Sequence, residues 1–113
     1  MQYSELPIFK ATYDLTLDMY MLVRSFNKEF KYTLGEQLKR ETTELVIFVY
    51  RANSKKDKKD ILGEAKEKLE TIRLLVRLAK DLKIISLRGF VRINKKIQET
   101  SKQVSGWQKS VSI

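Results

Sequence analysis

The sequence contains neither cysteine nor histidine. Their absence removes thiolate nucleophiles, imidazole general bases and the usual protein ligands of zinc. With four glycines and one proline, the chain also offers no glycine-rich loop of the kind that cradles phosphate groups. Carboxylates, lysines and tyrosines are the catalytic side chains that remain. We therefore expect a protein that is not an enzyme and that uses no metal ion, cofactor or small-molecule substrate.

Long apolar segments are also missing. The longest uninterrupted apolar run, at positions 45–50, is six residues long, whereas crossing a bilayer takes about 20. Residues 1–7 have neither the basic head nor the apolar stretch of a secretory signal. Together with the lack of cysteine, these features favour a cytoplasmic protein that does not associate with membranes.

What the chain does contain is charge and helical periodicity. Its 113 residues suit a single domain, 1–113, and carry 23 basic and 14 acidic side chains, a net charge of +9. Apolar residues recur at spacings of three and four, which is typical of helices that bury one face. The pattern predicts helices at about 7–26, 34–53, 58–85 and 87–109. Short links between amphipathic helices predict an all-α, antiparallel, up-and-down four-helix bundle.

The third predicted helix has the clearest apolar pattern. Its alternating spacings of three and four predict a buried seam. The seam consists of Leu62, Ala65, Leu69, Ile72, Val76 and Ala79. A second apolar flank widens the later half of this helix, and it consists of Leu75, Leu78, Leu82 and Ile85. This wider face predicts burial either at the bundle centre or in a contact between subunits.

Two helix starts carry capping signals. Thr33 is followed three residues later by Glu36, which fits a capping box at the start of the second helix. Ser86 is placed to cap the fourth helix. Both signals support the predicted boundaries.

Basic residues are concentrated in the last predicted helix. Residues 86–113 contain six basic side chains and one acidic side chain, Glu99. Four of the basic residues repeat every seven positions, namely Arg88, Lys95, Lys102 and Lys109. They lie two positions away from an apolar series that also repeats every seven residues. An offset of two residues corresponds to about 200° around a helix. We therefore expect a cationic stripe almost opposite the buried face, broadened by Arg92 and Lys96.

Such a stripe has two interpretations. A continuous row of positive charge suits the phosphate backbone of a nucleic acid. The alternative is a solvent-exposed face that keeps the protein soluble, although faces of that kind usually mix both signs of charge. The near absence of acidic residues leaves both interpretations open.

Arg73 and Arg77 form a second candidate site, four residues apart on one side of the third helix. Their apolar surroundings favour a bundle shoulder, where the arginine stems pack and the guanidinium groups reach a ligand. The alternative is pairing within the helix, because Asp81 lies four residues after Arg77 and Glu70 is nearby.

Other conspicuous residues are better explained by structure than by chemistry. The single tryptophan, Trp107, is expected to close one end of the core. Asp14 and Asp18 are one turn apart on an early helix and are interpreted as surface charge. The tyrosines share no spacing that would suit base stacking and are interpreted as core-edge residues, namely Tyr13, Tyr20, Tyr32 and Tyr50.

Several short segments together resemble a known family. They are Leu6-Pro7-Ile8-Phe9-Lys10, Tyr13-Asp14-Leu15, Lys31-Tyr32-Thr33-Leu34-Gly35, Arg73 to Leu82, and Gly106-Trp107. In order and spacing they resemble the Avd family, the accessory variability determinants of diversity-generating retroelements, over nearly the whole chain. That family is related to four-helix-bundle proteins encoded in intervening sequences of large-subunit ribosomal RNA genes. The second helix ends in Val49-Tyr-Arg-Ala-Asn53 rather than an Asn-Ile-Ala-Glu-Gly-like phrase, which favours the retroelement branch.

The resemblance implies a four-helix bundle that assembles into a homopentameric barrel with a basic surface. It implies binding to a retroelement reverse transcriptase and to nucleic acid, RNA and also DNA, with no catalytic activity of its own. In mutagenic retrohoming such a protein assists complementary-DNA synthesis from a template RNA. Arg73 and Arg77 fall where the basic residues of the family's third helix lie.

The leading hypothesis is therefore a nonenzymatic accessory protein that binds reverse transcriptase and template RNA. The candidate binding residues are Arg73, Arg77, Arg88, Arg92, Lys95, Lys102 and Lys109. One alternative is a ribosomal RNA intervening-sequence protein that binds RNA without a polymerase partner. The other is a general helical interaction module whose basic stripe serves solubility or an acidic protein partner.

Overall fold

The computed structural model describes residues 6–111, which form helices and turns with no strand among them. Four long helices are present, with one additional helical turn between the first two. In chain order they are α1 (Pro7–Arg24), α2 (Lys28–Lys31), α3 (Leu34–Ser54), α4 (Lys59–Asp81) and α5 (Leu87–Val111). Of the segment 1–7, on which the expectation about a secretory signal rests, only residues 6 and 7 lie within the described part.

Each long helix packs against two of the others. Helix α1 contacts α3 and α5, and α4 contacts the same two helices. Because successive long helices are joined by short connections, neighbours run in opposite directions. The result is an elongated bundle of 44 × 21 × 18 Å. The predicted all-α bundle is confirmed, and none of the described helices has the length and apolarity needed to cross a membrane.

The core is built from the predicted apolar faces. All six residues of the α4 seam are fully buried, as are Leu38, Leu45 and Val49 of α3. Three threonines also lie inside, and each hydroxyl donates to a carbonyl of its own helix, which satisfies its polar atom. The pairs are Thr12 with Ile8 at 3.1 Å, Thr42 with Leu38 at 2.9 Å and Thr100 with Lys96 at 2.8 Å.

Trp107 closes one end of this core, as expected. It is partly buried and packs against the main cluster and against a smaller cluster of Ala52, Ile61 and Leu62. The Lys58 ammonium lies 5.9 Å from the centre of the Trp107 ring, so the exposed ring face meets a cation.

Helix α4 ends at Asp81, four residues before the predicted end at 85. Lys83 adopts a left-handed conformation with φ 61° and its N–H donates to the Lys80 carbonyl at 2.9 Å. The N–H of Ile84 reaches back to the Ala79 carbonyl at 2.9 Å. These two bonds form a Schellman motif, which terminates a helix without needing glycine or proline in the sequence.

One predicted cap is wrong and the other is confirmed. Thr33 makes no side-chain cap, and its hydroxyl instead turns back to the carbonyls of Glu29 and Phe30. The segment 28–31 coils into α2, and this extra turn supplies those carbonyls. Ser86 does cap α5, because its hydroxyl accepts the Gly89 N–H at 3.0 Å.

The second apolar flank of α4 does not lie at the bundle centre. Leu78 and Leu82 are 45% and 50% exposed, while Leu75 is partly buried and Ile85 is buried. The bundle-centre alternative is therefore wrong for Leu78 and Leu82, because α3 and α5 leave this outer part of α4 uncovered.

Candidate nucleic-acid interface

The heptad-spaced basic residues of α5 lie on its outer side. Residues Ile93, Ile97, Thr100 and Val104 face the core, whereas all four members of the basic row are exposed. At 1.5 Å of rise per residue, the row from Arg88 to Lys109 extends for about 31 Å. The predicted position of this stripe, almost opposite the buried face, is confirmed.

Most of this row is not neutralised within the chain. Among residues 6–111, no carboxylate lies within ion-pair distance of Arg88, Lys95 or Lys102. Their positive charges therefore face solvent without a fixed counter-ion. A surface of this kind attracts phosphate groups and releases bound counter-ions when a nucleic acid docks.

Helix α4 carries a matching basic row that the sequence analysis did not identify as a set. Its members are Lys59, Lys66, Arg73 and Lys80, which also repeat every seven residues. The row lies on the flank that faces α5, since the Lys80 ammonium sits 4.7 Å from the centre of the Phe90 ring. The heptad spacing in the sequence was the signal that could have identified it. The stronger apolar pattern of the same helix obscured that spacing.

The two rows run side by side because α4 and α5 are antiparallel neighbours. At one end, Lys59, Lys66 and Lys109 line a groove of about 260 Å³ together with Ser105 and Gln108. At the other end, Lys80 reaches the first turns of α5. Seven-residue steps in opposite directions keep the rows in register along the helix pair. We refer to these eight residues as the basic track: Lys59, Lys66, Arg73, Lys80, Arg88, Lys95, Lys102 and Lys109.

Arg73 and Arg77 are held by weak contacts within α4. Arg73 Nη1 lies 3.7 Å from Glu70 Oε1, and Arg77 Nε lies 3.8 Å from Asp81 Oδ2. Both pairs are substantially exposed, and pairs of this kind contribute about 0.2–1 kcal/mol. The intrahelical pairing considered from the sequence is present, but a ligand displaces such contacts at little cost. The Nε of Arg73 is buried without a hydrogen-bond acceptor.

Arg92 and Lys96 differ from the basic track because both lie beside Asp18 of α1. Arg92 Nη2 is 3.9 Å from Asp18 Oδ1, and the Lys96 ammonium contacts Asp18 Oδ2. The Asp18 side chain is only 22% exposed, so it ties α1 to α5 rather than lying free on the surface. Lys96 therefore belongs to the scaffold, while Arg92, 74% exposed, stays a predicted binding residue with an internal partner.

A second ion-pair cluster joins α3 to α4. Lys68 Nζ lies 2.6 Å from Glu41 Oε2 and 3.4 Å from Glu44 Oε2. The hydrogen bond to Glu41 outweighs the cost of partial burial and raises the pKa of Lys68 above its usual value. This cluster holds the bundle together and takes no part in the basic track.

Acidic side chains and tyrosines are the remaining groups of this chain that could bind a metal ion or take part in catalysis. Within 6–111 no three acidic side chains are grouped so that they could hold a metal ion. The hydroxyl groups of Tyr20 and Thr43 share a hydrogen bond of 2.9 Å, and the Tyr13 ring stacks on Phe9 at 5.7 Å.

Comparison with known families supports the resemblance noted in the sequence. A model of the bAvd-like family matches residues 6–111, which is nearly the whole chain. No curated protein matches the chain. Proteins of the Avd-like family are accessory and noncatalytic, and they are associated with diversity-generating retroelements. The extent of the match shows that the chain belongs to the bAvd-like family.

Proposed function

We propose that this protein is a nonenzymatic accessory factor of a diversity-generating retroelement that binds template RNA and the reverse transcriptase. The basic track carries the RNA part of this proposal, because two heptad-spaced cationic rows lie side by side on α4 and α5. Membership of the bAvd-like family supports the retroelement context.

The proposed assembly is a homopentamer in which the uncovered apolar flank of α4 packs between subunits. Exposed leucines on a helix of a soluble protein favour a contact with another protein surface. Five chains of 13.3 kDa would weigh about 66 kDa, and their charges would sum to +45. A surface so basic makes counter-ion release a dominant part of RNA affinity.

RNA binding is tested by removing one charge from each row of the track. For Lys66→Gln with Lys102→Gln we expect weaker binding to single-stranded RNA and a flatter dependence of log Kd on log salt. Each lost phosphate contact lowers the slope by about 0.7, so two contacts lower it by about 1.4. The measurement is a fluorescence-anisotropy titration from low to physiological salt.

The matched control is Lys55→Gln with Lys56→Gln. It removes the same charge from the exposed connection between α3 and α4, at residues that are not members of the track. An equal change in slope for both double variants would mean that RNA responds to net charge alone, and the assignment of the track would then be wrong.

Reverse transcriptase binding is tested with the enzyme whose reading frame we expect beside this gene. For Arg73→Ala with Arg77→Ala we expect less co-purified enzyme, with helicity by circular dichroism unchanged, because their partners Glu70 and Asp81 are exposed. Lys55→Ala with Lys56→Ala should retain the enzyme. Unchanged recovery with the folded arginine variant would remove these two residues from the proposed polymerase contact.

A further inference from the structure

The outer surface of the α1–α3 pair carries large apolar side chains over two helical turns, and at one end the Lys39 ammonium lies 5.5 Å from the centre of the Tyr20 ring. Tyr20 and Thr43 are hydrogen bonded, which fixes the register of these antiparallel helices. One and two turns further along, Leu17 lies level with Ile47 and Tyr13 lies level with Tyr50. All five large side chains are between 38% and 51% exposed. We call this surface the tyrosine face: Tyr13, Leu17, Tyr20, Ile47 and Tyr50.

This composition fits a protein partner better than RNA. Tyrosine is enriched at the centre of protein interfaces, whereas lysine and acidic residues are depleted there. A chain of net charge +9 that packs against copies of itself must also bring together surfaces without repelling charges. The tyrosine face meets this condition because the Lys39 ammonium beside Tyr20 is paired with Glu36 at 2.8 Å, whereas the basic track on the other helix pair does not.

A second exposed apolar surface lies on α4. Leu74, Leu78 and Leu82 are four residues apart and form one row along the helix, with exposures of 67%, 45% and 50%. We call this row the leucine stripe. It extends for about 12 Å, close to the length of the tyrosine face. Lys68 pairs with α3 and marks the side of α4 that faces α3, whereas Lys80 contacts α5 and marks the side that faces α5. The α4 row of the basic track lies on the side that faces α5. The leucine stripe lies on the exposed surface between these two sides.

The two surfaces end in opposite charges. Beyond the tyrosine face, at the end of Tyr20, lie the exposed arginines Arg24 and Arg40, together with the Lys39–Glu36 ion pair, whose charges cancel. Beyond the leucine stripe, towards the start of α4, lie the exposed glutamates Glu64 and Glu67. An apolar strip that ends in arginine therefore matches, in length and charge, an apolar strip that ends in glutamate.

We infer that the tyrosine face of one copy packs on the leucine stripe of the next copy. Two different surfaces meeting in this way form a head-to-tail contact, which closes into a ring or continues as a filament. The inference rests on the homo-oligomer of the proposed function and identifies the surface opposite the α4 flank. Because the α5-facing side of α4 is not used, the contact leaves the basic track open to RNA.

The test uses three matched double variants and light scattering after size exclusion. Tyr13→Glu with Leu17→Glu removes the tyrosine face, and Leu74→Glu with Leu78→Glu removes the leucine stripe. The control, Leu87→Glu with Val91→Glu, makes the same chemical change at residues of α5 that are 68% and 58% exposed. Circular dichroism verifies that each variant is folded.

We expect both face variants to be monomers of 13.3 kDa and the control to keep the wild-type mass. Each face variant retains the surface that the other lacks. An equimolar mixture of the two should therefore form a heterodimer of about 27 kDa, since one intact contact is available per pair. This complementation is specific to a head-to-tail contact.

Four results would overturn the inference in distinguishable ways. An unchanged wild-type assembly in either folded face variant would remove that surface from the contact and leave the proposed oligomer standing. Two monomeric variants that fail to combine would show that the two surfaces do not contact each other, and variants that each form a homodimer would show that each surface pairs with itself. A monomeric wild-type protein would overturn both this contact and the proposed pentamer, while the RNA titration would still decide the function of the basic track.

Discussion

The α1–α3 and α4–α5 sides of the bundle contribute the same kind of core but have opposite outer surfaces. Inside, each side supplies fully buried leucine, isoleucine or valine and at least one buried threonine. Outside, α1 and α3 present the tyrosine face, whose neighbouring lysine Lys39 is neutralised by Glu36, whereas α4 and α5 present the eight cationic residues of the basic track.

This difference separates what the fold requires from what it leaves free. A bundle needs one apolar face per helix and is indifferent to the composition of the opposite face, provided that it is soluble. The contrast between the two outer surfaces is therefore not explained by stability. It is explained if the tyrosine face meets the leucine stripe of another copy while the basic track, on a different flank of α4 and on α5, meets RNA.

The largest expected effect is the loss of stability on truncating a buried leucine, and here the two sides of the bundle should behave alike. Leu45 on α3 and Leu69 on α4 are both fully buried in the main core. Leu45→Ala and Leu69→Ala should each lower the free energy of unfolding by about 3 kcal/mol, within the range for buried leucines, and agree with each other within about 1 kcal/mol. Urea denaturation followed by circular dichroism measures both.

Leu87→Ala is the control, because that side chain is 68% exposed and should cost less than about 0.5 kcal/mol. A loss several times larger on one side of the bundle would break the comparison. It would mean that the cavity on that side collapses less, so the two helix pairs do not contribute alike to the stability of the core.

The sequence predicted the interior well because the spacing of apolar residues determines which face of a helix is buried. Spacings of three and four placed the α4 seam correctly, since each such residue must face the same side of its helix. Leu78 and Leu82 show where this reasoning ends. Periodicity placed them beside the seam, but only the positions of α3 and α5 decide whether a side chain there is covered.

The candidate site was predicted less completely for a related reason. The basic row of α5 was identified from the sequence because that helix contains almost no acidic residues and its basic residues repeat every seven positions. The α4 row was missed because its function depends on lying next to α5, which a single helix does not reveal. In the same way, no feature of the local sequence around Arg92 or Lys96 indicates Asp18, which comes from another helix.

The end of α4 was placed incorrectly because the chain uses lysine where a helix usually ends in glycine. Lys83 has φ 61°, a conformation that glycine adopts without the steric cost of a Cβ atom. Lys83→Gly should therefore raise the free energy of unfolding by about 0.5–1 kcal/mol, the smallest change expected here.

Lys83→Ala is the matched control, since it removes the same charge and keeps the Cβ atom. Because Lys83 lies outside the basic track, the glycine variant should gain stability without a change in the slope of RNA binding against salt. Equal stability of the glycine and alanine variants would show that the conformation of Lys83 carries no cost, and a flatter salt slope would extend the track into the α4–α5 connection.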